Sequence, residues 1–303
     1  MAGMTRNLKH FVNAVILGAF LLPISLVAAV HSKTKELQPL AGPPARTEMP
    51  IRVFRGYLVM VEGSIAGLEV QNLLVDTGTD RSIVNTRIAR ELELPTRAGK
   101  LSVANASVET EAALLPELRV GPIRCVSLPV LVHDLGPLER DLGVPVAAVI
   151  GMDVLGQSSF RLDYSAKRLV FGPVEAQGIA LRFEDASELV MVDLVVGNEP
   201  VRLLVDTGAA GLVFFESRVG KRLALEDLAM RRRDSSLLGS FPTEMVHPGE
   251  LRLGDRKFRV QKAFLTKDKG DDRKTFDGLL GVGAMGFKSI AFDFPSSTVY
   301  LQI

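Results

Sequence analysis

Leu73-Leu74-Val75-Asp76-Thr77-Gly78 occurs twice in this chain, the second time as Leu203-Leu204-Val205-Asp206-Thr207-Gly208, 130 positions later. The same offset joins Gly67 to Gly197 ahead of the hexamer, and Gly151 to Gly281, Gly156 to Gly286 and Asp163 to Asp293 after it. Chance identity runs at roughly one in fifteen per position for ordinary compositions, so six consecutive matches with further matches in register mark a tandem duplication. Each copy spans about 125 residues, the repeat unit expected of two similar lobes.

Outward from the hexamer, the pattern is one of strands and turns. Tyr57 to Val61, Val70 to Val75, Leu118 to Val120, Val126 to Val132 and Arg168 to Phe171 are short apolar or β-branched runs between glycines and prolines. Helical periodicity is confined to Thr86 to Leu92, Glu216 to Leu223 and the turns beginning at Met152 and Ala284. The expected fold is therefore all-β and two-lobed, with a few short helices. The duplication divides the body into an N-terminal lobe, residues 51–175, and a C-terminal lobe, residues 176–303.

Residues 11–29 are free of charge and strongly apolar, preceded by Arg6 and Lys9. Such a leader reads as an export signal or a membrane anchor, assigned to residues 1–31, and at 1.5 Å per residue it would span roughly 29 Å as a helix. The expected location is the cell envelope, in the periplasm, either soluble or held to the inner membrane through residues 11–29. Residues 32–50 carry Pro39, Pro43, Pro44 and Pro50 without apolar periodicity and read as a tether, with folded structure expected from about Ile51.

Composition narrows the chemistry. With 36 basic and 35 acidic residues in 303, the chain has no large cationic surface for a phosphate backbone, so nucleic acid is not an expected partner. Cys125 is the single cysteine, which excludes an intrachain disulfide and a thiolate metal cluster. The histidines, His10, His31, His133 and His247, form no pair at helical ligand spacing, so neither metal nor cofactor is expected. Gly281-Val282-Gly283-Ala284-Met285-Gly286 matches a dinucleotide-binding spacing, but Gly283 aligns with Asp153 in the first copy and no alternating βα pattern follows.

An apolar strand that ends in Asp-Thr-Gly places a carboxylate at a tight turn against a core that cannot solvate it. Two such turns, one per copy, can face each other across a pseudo-twofold axis. Carboxylate oxygens about 3 Å apart repel by roughly 5 kcal/mol at an effective dielectric near 20, or about four pKa units, so the pair shares one proton over a wide pH range. The ionised member can then take a proton from an attacking water while the protonated one donates to a carbonyl oxygen. Gly78 and Gly208 allow the sharp turn and bring amides near the acids, and Thr77 and Thr207 have hydroxyls able to tie the loops together.

These residues resemble the pepsin and retropepsin-like aspartic peptidases over residues 51–303. Val149-Ile150-Gly151 and Leu279-Leu280-Gly281 are similar to the family's strand that passes beneath each catalytic loop. The resemblance implies a pepsin-like two-lobed fold, Asp76 and Asp206 as the catalytic dyad, and an extended polypeptide as substrate. It also implies that one chain suffices for the active site. In the family a hydroxyl after the motif glycine bonds the carboxylate; here that residue is Thr79 in the first copy but Ala209 in the second. Asp206 is therefore expected to ionise less readily than Asp76. The family's flap falls on Leu101 to Glu111, with Asn105, Ala106 and Ser107 at its tip and a counterpart near Leu238-Gly239-Ser240. The implied function is aspartic endopeptidase; the alternative is a non-catalytic peptide-binding or scaffolding protein on the same fold.

Overall fold

In each copy the hexamer closes a long strand that is covered on both sides. The computed structural model describes residues 19–20, 46–103, 106–184, 189–236, 239–268, 276–284 and 286–303. Leu68–Val75 pairs antiparallel with Leu58–Ile65, and Glu199–Asp206 with Met191–Val196. On the other edge each accepts a parallel partner: Ala148–Ile150 lies along Leu73–Val75, and Gly278–Gly281 along Leu203–Asp206. Leu73, Leu74, Val75, Leu203, Leu204 and Val205 are all buried, which is why the run is continuously apolar rather than alternating.

The chain then leaves each Asp loop in a second matching strand. Ile83–Asn85 and Leu212–Phe215 pair antiparallel with the Ala148–Ile150 and Gly278–Gly281 strands. Their far edges run parallel to Ile123–His133 and Ala263–Thr266. Each lobe thus carries the same weave within a nine-stranded sheet. The fold is all-β with a few short helices, repeated in two lobes.

A six-stranded sheet joins the lobes, with three strands from each half. At its centre Phe160–Asp163 pairs antiparallel with Ser289–Asp293, and Arg161 lies opposite Ala291, its own repeat equivalent 130 positions on. A residue paired with its own counterpart marks the local twofold axis. Phe160 stacks on Phe292 there, with ring centroids 4.7 Å apart.

The sheet also corrects the tether. Thr47–Pro50 is not a linker; it forms the edge strand of this sheet, paired with Arg168–Phe171, and Met49 packs against the core. Four residues are too few to show alternation, and Pro50 is tolerated because an edge strand need not donate on its free side. The leader lies outside the described residues except Ala19–Phe20, a two-residue strand paired with Ser102–Val103. Among the described residues no helix is long and apolar enough to cross a membrane.

Helices are short, as the weak periodicity suggested. Thr86–Glu91 starts on an Asn85 cap whose side chain accepts from the Arg87 amide, and Met152–Leu155 follows Gly151. The helix expected over Glu216 to Leu223 stops at Val219, ahead of Gly220. Gly136–Leu142 is a further short helix, with Leu135, Leu138 and Leu142 at helical spacing. Its end signals are Pro137 in the first turn and Gly143 at φ 71° as a left-handed cap.

Each lobe also bears a long hairpin. Thr96–Val103 pairs with Ala106–Val120, and Glu226–Ser236 with Gly239–His247. Of the candidate flap tip, Asn105 lies outside the described residues, and so does Leu238 of its counterpart. Ala106 and Ser107 open the returning strand, and the Ser107 hydroxyl meets that of Ser102 at 2.9 Å.

Candidate active site

The two Asp-Thr-Gly loops meet where the lobes join. Asp76 is anchored by its own amide, which donates to the Ile150 carbonyl at 3.1 Å, and Asp206 sits in register with Gly281. Each carboxylate turns back on its own loop. Asp76 Oδ1 accepts from the Gly78 amide at 2.8 Å, and Asp206 Oδ1 from the Gly208 amide at 2.7 Å. Both residues are completely buried, and the second oxygen of each, Oδ2, has no hydrogen-bond partner in the protein. Two equivalent buried acceptors left open on opposing loops are unusual enough to require a ligand or a proton to satisfy them.

The loops are tied reciprocally. Thr77 Oγ1 donates to the Val205 carbonyl at 2.8 Å and accepts from the Thr207 amide at 3.1 Å. Thr207 Oγ1 donates to the Val75 carbonyl at 3.2 Å and accepts from the Thr77 amide at 3.0 Å. Each threonine thus pairs two buried backbone groups of the other lobe. Thr77→Val keeps the β-branched shape but strands the Val205 carbonyl and the Thr207 amide, and should cost about 2–4 kcal/mol of stability. Urea denaturation measures it; a change below about 0.5 kcal/mol, within the range of a neutral surface substitution, would reject this role.

The glycines explain the close approach. A Cβ on Gly78 would stand 2.6 and 2.7 Å from the two carboxylate oxygens of Asp206, so the first loop lies directly against the second acid. Beneath the loops, a Cβ on Gly151 would reach the Thr79 carbonyl at 2.8 Å, and one on Gly281 would reach the Gly211 carbonyl at 2.6 Å. Ile150 and Leu280, just before these glycines, are buried in the strands that run under Val75 and Val205.

The lobes differ in how they hold that glycine. In the first, the Gly151 amide donates to Ser82 Oγ at 3.0 Å, while Ser82 donates to Asp153 through its hydroxyl at 2.7 Å and its amide at 2.9 Å. In the second, the Gly281 amide donates to the Gly211 carbonyl at 3.1 Å. Ser82 and Asp153 were not among the expected site residues. Their equivalents are Leu212 and Gly283, so the duplication gave no cue to them.

The reading of Thr79 needs correction. Its hydroxyl donates to the Arg81 carbonyl at 3.0 Å and leaves Asp76 alone, because the loop folds that carbonyl back within reach two residues on. Ala209 is buried against Phe241 and Phe264 in an apolar cluster. The Thr79/Ala209 difference is therefore not what makes the two acids unequal.

The aspartyl protease family model matches this chain over residues 61–154 and again over 192–284. The chain belongs to the aspartyl protease family. Each match contains one Asp-Thr-Gly loop and the strand beneath it, and together they cover more than half the sequence. No curated protein matches the chain.

The electrostatics of this aspartyl protease family member follow from burial. Burial pushes Asp76 up to about 6, against the downward pull of the Gly78 amide, the neighbouring Asp206 carboxyl and the Gly208 amide. Burial, then the facing charge of Asp76, raises Asp206 well above the usual carboxylate range, and the Gly208 amide opposes this. The pair therefore holds a proton well above pH 4 and titrates as a unit. Among the described residues no group of three or more His, Cys, Asp or Glu side chains is placed to hold a metal ion.

Raised folded-state pKa values set a sign for stability. The native pair binds more protons than the unfolded chain from about pH 4 through pH 6, so its contribution to stability is present at low pH and lost as pH rises through that window. The melting temperature of the wild type should thus fall more steeply between pH 4 and 7 than that of Asp206→Asn, in which one of the two titrating groups is removed. Parallel melting curves would exclude a shared proton.

Proposed function

We propose that this chain is an aspartic endopeptidase in which Asp76 and Asp206 activate a water between them. The observation that carries the reading is the pair of buried Oδ2 atoms, one on each of two cross-linked loops and neither with a hydrogen-bond partner in the protein. In the singly protonated state the ionised carboxylate accepts a proton from the water as its oxygen bonds to the scissile carbonyl carbon. The protonated carboxylate donates to the carbonyl oxygen, giving a neutral tetrahedral diol. Its C–N bond then breaks as the amine nitrogen takes the proton of the pair while the ionised carboxylate takes one from a diol hydroxyl, which releases a carboxylic acid and an amine and regenerates the singly protonated dyad.

The substrate of this reading is an extended polypeptide, since a strand-like backbone can pair with cleft edges while its side chains alternate into pockets. The Thr77 and Thr207 cross-links come from one chain, so a single copy supplies both acids. The leader, residues 11–29, adds export to the cell envelope as part of the proposal. N-terminal sequencing of protein recovered from soluble and membrane fractions tests it, and recovery of the intact protein from the cytoplasm alone would reject it.

Incubation of residues 46–303 and of the full chain with a peptide library at pH 4 to 7 tests the activity. Cleavage lost in Asp76→Asn and Asp206→Asn supports the endopeptidase. Saturable peptide binding without cleavage by either protein would leave the non-catalytic alternative in its place.

A further inference from the structure

The strands beside the Asp206 loop bury side chains on both faces. Leu203, Val205, Phe214 and Leu280 belong to the main core, whereas Leu204, Val213, Phe264 and Leu279 form a separate cluster with Ala209, the residue after the loop glycine. A Cβ on Gly211 would meet the Phe264 ring at 2.9 Å, so that ring lies against the loop. The guanidinium carbon of Arg232 is 4.8 Å from the centre of the same ring. Arg232 comes from the hairpin strand Glu226–Ser236 and forms an ion pair with Asp234 at 2.5 Å. Asp234 is completely buried, and its other oxygen accepts from the Thr243 hydroxyl at 2.7 Å. Both carboxylate oxygens are thus engaged, and the member of the pair that solvent reaches is the arginine, whose side chain is 23% exposed. A buried ion pair is costly to assemble and is weak evidence for stability. The first lobe does without one, as the strand register shows. Val213 opposes Phe264, Phe264 opposes Met245 and Met245 opposes Met230, just as Ile83 opposes Leu131, Leu131 opposes Ala112 and Ala112 opposes Arg97. Counting on from Met230 and Arg97, Arg232 and Asp234 stand where the first lobe has Gly99 and Leu101.

We propose that Arg232, held by Asp234, is a specificity-determining residue that binds an acidic side chain of the polypeptide substrate on the second-lobe side of the dyad. The inference rests on the endopeptidase reading and names the kind of sequence that site selects. A guanidinium fixed by a buried carboxylate and an aromatic ring can meet a second carboxylate in a bidentate pair with little further loss of side-chain freedom. Gly99 and Leu101 offer no such charge in the first lobe. The two walls are otherwise related by the local twofold, so a cation on one of them alone favours one direction of the bound peptide.

Labelled peptides carrying Glu, Gln, Leu or Lys at one position at a time test it. In the wild type, Glu at one position on one side of the cleaved bond should raise kcat/KM by about 10–100-fold over Gln, mostly through KM. The double variant Arg232→Gly with Asp234→Leu installs the first-lobe pair, and there the Glu-to-Gln ratio should collapse toward one. Arg232→Gln, which keeps a donor for Asp234 and removes the charge, should do the same and serves if the double variant does not fold. A ratio unchanged in the variants, or a wild-type preference for Lys, overturns the inference even if the protein cleaves peptides. If nothing is cleaved, fluorescence polarisation gives the same ratio as Kd. A Glu preference in binding that the variants lose upholds the site and rejects the enzymatic reading; equal Kd values, or no binding at all, overturn it.

Discussion

Asp76→Asn and Asp206→Asn should each lower kcat/KM for a cleaved peptide by about 10³–10⁴-fold, the scale of lost general acid–base catalysis. Asparagine preserves the shape of the carboxylate and retains an oxygen to accept from the Gly78 or Gly208 amide, so the loop has no reason to unfold. It cannot ionise or share a proton, and a dyad with one amide can serve as acid or as base but not exchange the two roles. The loss should appear in kcat with KM little changed, since the acids act on the reacting bond rather than on the length of the peptide. Neither variant should be less stable than the wild type at pH 7, where one of two buried, repelling groups has been neutralised. Single-turnover and steady-state assays with matched circular dichroism separate these effects. Cleavage within tenfold of wild type in either variant would reject the dyad.

Much of this site was legible in the sequence because duplication converts geometry into spacing. The hexamer repeated at 130 positions located both loops, and the recurring apolar-apolar-Gly located both supporting strands. The threonine cross-links were legible for the same reason, since a twofold relation makes each contact occur twice. What the repeat does not contain, it could not reveal. Ser82 and Asp153 are replaced in the second lobe by Leu212 and Gly283, which cannot make the same bonds. The direction of the Thr79 hydroxyl depends on a carbonyl two residues away, a local competition that residue identity does not decide. Thr47–Pro50 was hidden by Pro50 and its brevity, and its place is set by the Arg168–Phe171 strand more than a hundred residues later.

Gly78→Ala should lower peptide cleavage by about 10²-fold, although the methyl group carries no chemistry. The backbone at this position is not in the left-handed region, so alanine meets no torsional obstacle. Its obstacle is Asp206, whose two carboxylate oxygens would lie 2.6 and 2.7 Å from the new Cβ. Ordinary van der Waals contacts begin at about 3.4 Å and the Asp206 carboxyl carbon lies nearer still than its oxygens, so carboxylate and methyl must separate by about 1 Å. The Gly208 amide holds Asp206 Oδ1 at 2.7 Å and the Thr77 and Thr207 pairs hold the loops, so the displacement falls on the geometry of the dyad. A misplacement of that size at a reacting centre costs about 10²-fold, and overpacking adds about 1–3 kcal/mol of instability. The displacement also weakens the repulsion between the acids, so the titration of the pair should contract toward that of two independent buried carboxyls. Peptide cleavage and an NMR titration of the aspartate carboxyl carbons read the two effects separately. Wild-type kcat in a folded Gly78→Ala protein would show that the chemistry occurs elsewhere than between these loops.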